Sequence, residues 1–227
     1  MTSPGRQGPG ERPALSRDRA LAVAVGLADQ GGLAAVTMRA VAAELGVEAM
    51  SLYHHVKGKA DLLDGMVDAV FGEFRLPRAG SPWRPEMQLR CHSARKALRV
   101  HGWAVGLLDS RTSPGPATLA HHDAVLGCLR SDGFSVVEAG HAFAVLDAFT
   151  YGFAVQEASL PLGPGEWEGD LAAAIVAAMP ADRYPHLVEF ATERVMQPGY
   201  DFGDEFDFGL DLVLTGLAAL LGPSGTR

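Results

Sequence analysis

Between Arg39 and Lys59 the chain gathers Arg39, Tyr53, His55, Lys57 and Lys59, each able to donate a hydrogen bond to a phosphate oxygen. The arginine and lysines do so as cations, the tyrosine through a hydroxyl on a rigid ring, the histidine through a ring N–H. Among them stand Glu48, Ala49, Met50 and Ser51. These four and His54 are the candidate readers of base edges. Ala49 and Met50 offer only apolar contact, for instance to a thymine methyl, so discrimination per half-site should be modest. The chemistry implied is grip on a nucleic-acid backbone, not bond-making. A glycine-rich phosphate loop, a GxSxG elbow and an HExxH pair are all absent, and an enzyme is not expected.

Local structure must present those side chains. Thr37 is placed to cap a helix, and Met38, Val41, Ala42 and Leu45 then recur at helical spacing. Gly46 stands where the chain must turn through a left-handed conformation, and Val47 plugs the turn. Residues 49–55 read as a second helix of about two turns, too short to stand alone and held inward by Leu52 and Val56. Ahead of this unit, Ser16 caps a first helix with Asp18 in its first turn and an inner stripe of Leu21, Val25 and Ala28, ended by Gly31-Gly32. Arg17, at that helix start, is a further phosphate candidate. A fourth helix, Asp61 to about Phe74, is the natural lever to the rest of the chain.

The run LGVEAMSLYHHVKGKADLL resembles the DNA-binding domain of the TetR family of bacterial repressors. The likeness rests on Gly46-Val47 in the turn, Leu52-Tyr53 in the recognition helix, and His55-Val56-Lys57 with Lys59 opening the next helix. It implies that Thr37, Met38, Arg39, Tyr53, His55 and Lys59 occupy DNA-contacting positions. It also implies a larger helical domain that dimerises, holds a small molecule and moves the lever helix.

Charge is divided accordingly. The net charge is −8, yet through residue 60 seven basic residues face five acidic ones, so the acidic excess lies beyond the head. Cys91 and Cys128 make no disulfide framework, which suits a reducing cytosol, and a cytoplasmic protein is expected. The opening MTSPGRQGPGERP has no apolar core segment of a signal peptide, and residues 1–13 read as a disordered tail. No apolar run approaches the roughly 18 residues that would span a bilayer.

The expected architecture is all-α: a helix-turn-helix head over residues 14–60, a linking helix over 61–76, and a ligand-binding and dimerisation domain over 77–227. A break at Pro77 to Pro85 precedes a helix from Glu86 to His101 with Met87, Cys91, Ala94, Leu98 and His101 on one face. Helices should follow near 117–131, 135–160, 167–178, 182–195 and 204–221. The apolar faces of 135–160 and 204–221 exceed what one subunit needs, and suggest a two-fold four-helix bundle in a homodimer.

Candidate lining of an effector pocket is Cys91, Arg95, Trp103, Leu107, Phe143, Asp147 and Tyr151. Asp147 and Tyr151 lie four apart on an otherwise apolar helix. By the resemblance, the histidine that helps hold a Mg²⁺–tetracycline complex is replaced at Leu108, and Arg90 and Ala94 replace two further cavity residues, which argues against tetracycline. Adjacent His121 and His122 diverge by about 100° on a helix and make a poor metal pair. The expected partners are a double-stranded operator, a small-molecule effector and a second copy of the chain, without a cofactor or a membrane. The expected function is a repressor of an inverted-repeat operator, released by its effector. A ligand-dependent activator or a regulator needing a co-repressor would use the same parts.

Overall fold

The computed structural model describes residues 14–161 and 169–224, and among these there are helices and no strands. The expected tail and Trp167 lie outside the described residues. The helices are α1 (Arg17–Ala35), α2 (Met38–Leu45), α3 (Ala49–Leu52), α4 (Lys59–Gly72), α5 (Trp83–Val100), α6 (Pro116–Ser131), α7 (Val136–Ala158), α8 (Asp170–Ala177), α9 (Pro185–Phe190) and α10 (Glu205–Ala218).

The caps read from sequence are in place. Ser16 Oγ accepts from Arg19 N at 3.2 Å and Thr37 Oγ1 from Ala40 N at 3.0 Å. Gly46 ends α2 in the left-handed region at φ 70°. Gly32, at φ 67°, breaks α1, and a last turn runs on to Ala35. Ser135 and Glu138 form a reciprocal capping box at the start of α7.

Four details differ from the sequence reading. The inner stripe of α1 is Ala20, Ala24 and Ala28, with Leu21 and Val25 only half-buried, because small residues let α1 lie close on α2 and α4. The recognition helix α3 is four residues, not about two turns. After Leu52 the chain tightens into turns, His55 N bonding Leu52 O at 2.9 Å, and the Asp61 carboxylate takes Lys57 N at 2.8 Å. The lever α4 accordingly starts at Lys59 rather than Asp61. Helix α5 starts at Trp83 and carries Pro85 in its first turn, where a missing N–H costs no bond, while Asp132 caps Trp83 N at 2.9 Å.

Three apolar clusters make up the interior. Ala24, Val41, Leu45, Leu52, Val56, Leu62 and Met66 close the head. Met87, Cys91, Leu129, Phe134, Leu146, Phe206 and Leu210 fill the body. Between them Val67, Val70, Phe71 and Phe74 of the lever side pack on Ala94, Leu98, Leu108 and Tyr151. Helix α4 thus belongs to both cores, Met66 serving one and Val67 the other. No helix among the described residues is long and apolar enough to cross a membrane.

Candidate nucleic-acid interface and effector site

The head buries its apolar residues and leaves one polar surface. Thr37, Arg39, Glu48, Tyr53, His54, His55, Lys57 and Lys59 are exposed, and Met50 is 74% exposed. Met38, Ala49 and Ser51 are half-buried, the first two packed against the head core. A methionine that exposed on a short helix, beside unpaired cations, fits a helix presented to a groove.

Arg17 has a different place. Its guanidinium grips Asp61 with two bonds of 2.9 and 2.7 Å and reaches the His55 carbonyl at 3.5 Å. The Arg17 hydrogen bond holds the Asp61 carboxyl below its ordinary range. Arg17 is therefore a brace between the starts of α1 and α4, its charge met by Asp61 while its side chain stays partly exposed.

The expected pocket residues fall into separate groups. Phe143, Asp147 and Tyr151 come together on α7, and Cys91 adjoins them through Arg90, whose Nη1 lies 3.8 Å from Cys91 Sγ. Arg95 does not join this group. It pairs with Glu157 at 2.7 and 3.1 Å and stacks over Phe153 and Phe206, a packing role near α10. Trp103 stands apart as well: its Nε1 donates to Asp29 of α1 at 2.7 Å while its ring packs on the middle cluster. Leu107 packs half-buried against the middle cluster.

Arg90 and His121 were not among the expected site residues, yet they organise the site. Arg90 is fully buried; its Nη2 bonds Asp147 Oδ1 and its Nε donates to His121 Nε2 at 3.1 Å. Burial opposes the charge on Arg90, but the Asp147 carboxylate holds it, and the guanidinium stays protonated. Burial pushes the Asp147 carboxyl up, against the pull of Arg90. Burial, with Arg90 beside it, lowers His121 to about 3, so the ring is neutral. Burial likewise raises the Tyr151 phenol, which keeps its proton. The signal was legible: Arg90 lies three after Met87 and four before Ala94, on the buried stripe of α5.

Aromatic rings surround this polar cluster. His121 lies 5.4 Å from both Phe71 and Phe74, and His122 stands edge-on to Phe71 at 5.3 Å and to Phe143 at 5.2 Å. His122 also lines a cavity of about 180 Å³ with Asp64, Val67, Leu108, Asp109 and Thr118. One wall of that cavity is the lever. Asp68, one turn along α4, accepts from Thr118 N and Oγ1 at 2.8 and 2.9 Å and so caps α6 across the interface. A larger apolar cavity, about 340 Å³, lies apart between the end of α7, α8 and α9. Among the described residues no group of His, Cys, Asp and Glu could hold a metal ion.

The lever also meets the head through His101. Its Nδ1 lies 2.7 Å from Asp29 of α1 and its Nε2 3.1 Å from Glu73 at the end of α4. Head, lever and body are tied at this one imidazole.

Comparison with known families agrees with this layout. Residues 20–66 match the bacterial regulatory proteins of the tetR family, and residues 76–221 match the tetracyclin repressor-like C-terminal domain. The chain belongs to the TetR family. It is 33% identical to an HTH-type transcriptional regulator of Saccharopolyspora erythraea, over 93% of this chain and 88% of that protein. It is 32% identical to the HTH-type transcriptional repressor DrrR1 of Streptomyces coeruleorubidus, over 93% and 80% respectively. Among solved structures it resembles ActR of Streptomyces coelicolor in complex with actinorhodin, at a TM-score of 0.75 and 26% identity, covering 93% of this chain and 99% of that one. As a TetR-family regulator, the chain has its matched N-terminal domain on the head and its matched C-terminal domain on the body.

Proposed function

We propose that this TetR-family protein is a transcriptional repressor that binds an inverted-repeat operator as a homodimer and lets go when a small molecule enters its body. It works in the cytoplasm and by binding rather than turnover. The head is residues 14–60, the link 61–76 and the body 77–227. The observation that carries the reading is the shared lever: α4 packs Met66 into the head core and Val67 into the middle cluster. Asp64 and Val67 also form a wall of the cavity at His122. Filling that cavity favours a different position of α4. Two recognition helices must stand about 34–36 Å apart to read adjacent major grooves, so a small tilt of each lever lowers operator affinity. Similarity to DrrR1, named a repressor, and to ActR, solved with actinorhodin, supports both halves of the reading.

Tyr53, His55, Lys57, Lys59, Arg39 and Thr37 take the backbone; Glu48, Ala49, Met50, Ser51 and His54 face the bases, with Met38 supporting the helix start. The dimer forms through α7 and α10. Their outward faces carry His141, Ala144, Val145, Ala148, Gly152 and Val155, and Phe208, Leu212 and Ala219, at helical spacing and exposed. Phe208 is 67% and Leu212 58% exposed, apolar surface that a second copy would cover.

The test is salt dependence of operator binding. Lys59→Ala should weaken binding to all duplexes and reduce the magnitude of the log–log salt slope by about one contact. An unchanged slope and affinity would remove Lys59 from the phosphate set.

A further inference from the structure

The recognition surface carries one group that does not suit a polyanion. Of the four residues from Glu48 to Ser51, Ala49 and Ser51 are half-buried, Ala49 against the head core, which leaves Glu48 and Met50 exposed. Near them in the chain Arg39, Lys57 and Lys59 are exposed cations. Glu48 directly precedes α3, yet its carboxylate does not turn back to cap that helix. Among the described residues it makes no salt bridge and no side-chain hydrogen bond. A free carboxylate in this place is repelled by phosphate and lowers affinity for every duplex. The penalty is smallest where the carboxylate meets a hydrogen-bond donor on the DNA. In the major groove those donors are the exocyclic amines of cytosine and adenine. The adenine amine lies between two acceptors, its own N7 and the O4 of the paired thymine. The cytosine amine has an acceptor on one side only, the O6 of the paired guanine, and a C–H on the other. Repulsion of a carboxylate is therefore least over cytosine.

We infer that Glu48 is a specificity-determining residue of the half-site: it accepts from the N4 amine of a cytosine, and its charge rejects sequences that present an acceptor in that place. The inference rests on the reading of the head as an operator-binding unit and adds the identity of one base. Met50, 74% exposed, offers only apolar contact, and the His54 ring can donate or accept, so neither repels an acceptor as the carboxylate does. Discrimination at this position comes as much from rejection of wrong bases as from attraction to the right one. The same charge keeps the protein from settling on unrelated DNA, against the pull of Arg39, Lys57 and Lys59 on phosphate.

The experiment uses the full chain as the parent, Glu48→Ala and Glu48→Gln. Each selects duplexes from a random pool, and dissociation constants are then measured for the parent's enriched duplex, for that duplex with single bases changed, and for an unrelated duplex. The parent should enrich half-sites with a fixed cytosine, whose replacement by guanine weakens binding about tenfold. Glu48→Ala should lose the preference at that position, keep the others, and bind the unrelated duplex more tightly than the parent does. Glu48→Gln should turn the preference there to adenine, since an amide can accept from N6 and donate to N7 together. Glu48 is exposed and unpaired, so both variants should keep the parent's helical content and thermal midpoint. Parent half-sites without a fixed cytosine, an undiminished cytosine preference in Glu48→Ala, or equal affinity of parent and Glu48→Ala for the unrelated duplex would each overturn the assignment. With an inverted repeat still enriched, those outcomes leave the repressor reading standing; a parent that enriches no sequence overturns both.

Discussion

Arg90, Asp147 and His121 join three helices through buried polar bonds. Removing one partner of the Arg90–Asp147 pair strands a buried charge. Arg90→Leu should cost about 3–5 kcal/mol in urea unfolding, and Arg90→Leu with Asp147→Leu should cost less than the single change. A double variant as unstable as the sum of the singles would mean that the two groups are not one unit. The histidine gives a pH dependence of definite sign. His121 titrates near 6.5 when unfolded and is lowered to about 3 when folded, so the unfolded chain takes up a proton first as pH falls. Stability is present above about 6.5 and declines by about 1.4 kcal/mol per pH unit below it. Lowered His122 adds in the same direction; raised Asp147 acts in the opposite one, as its folded carboxyl takes up a proton more readily. Unfolding at pH 7 and pH 5 should show the loss, on the order of 2 kcal/mol, and His121→Gln should reduce it. The same steepness in His121→Gln would assign the pH dependence elsewhere. In sequence, Asp147 and Tyr151 were legible because polar residues break an apolar helix. The place of Arg90 on a buried stripe was legible too, but its pairing with Asp147 and His121 was not, because those partners lie on other helices.

At the scale of elements, the lever meets the body through a cap and a close approach as well as through its apolar packing. Asp68 of α4 caps α6, and the backbone at Gly115 comes so near that a Cβ there would sit 2.3 Å from Asp68 Cγ. Asp68→Ala should therefore cost about 1 kcal/mol as a lost cap, and Gly115→Ala should push the carboxylate away with a similar result. Both should weaken the effector's influence on operator affinity more than they weaken operator binding itself. A full effector response in either variant would show that the α4–α6 contact carries no signal. Local signals made most helices legible: Ser16, Thr37 and Gly46 each mark an end by their own chemistry. The recognition helix was read too long because its end is set from afar, by Arg17 and Asp61 holding the turn before α4. The bond from Trp103 to Asp29 was not legible for the same reason; an aromatic side chain next to a buried stripe does not announce a partner on a distant helix.

For the whole molecule, the proposed function depends on two-fold assembly, since the proposal gives one short α3 with apolar reading residues only a weak grip on a half-site. Leu212→Asp puts a charge in the middle of the proposed α7–α10 interface. It should yield monomers by light scattering and cost operator affinity at least tenfold, with the helical content unchanged. A dimeric Leu212→Asp protein would place the interface on another face. The division of charge also belongs here: a head with a slight basic excess and an acidic body fit the proposed approach of the head to phosphate. That asymmetry, the helix count and the surplus apolar faces of α7 and α10 were all legible in the sequence. The effector site was legible only in outline, because it assembles from α4, α5, α6 and α7. The most direct test of the central claim is selection of duplexes from a random DNA pool by the purified protein at low and moderate salt. Enrichment of an inverted repeat, with half-sites spaced for two helices on one face of the duplex, is the predicted result. Enrichment of single half-sites alone, or of no sequence at either salt, would contradict a dimeric sequence-specific repressor.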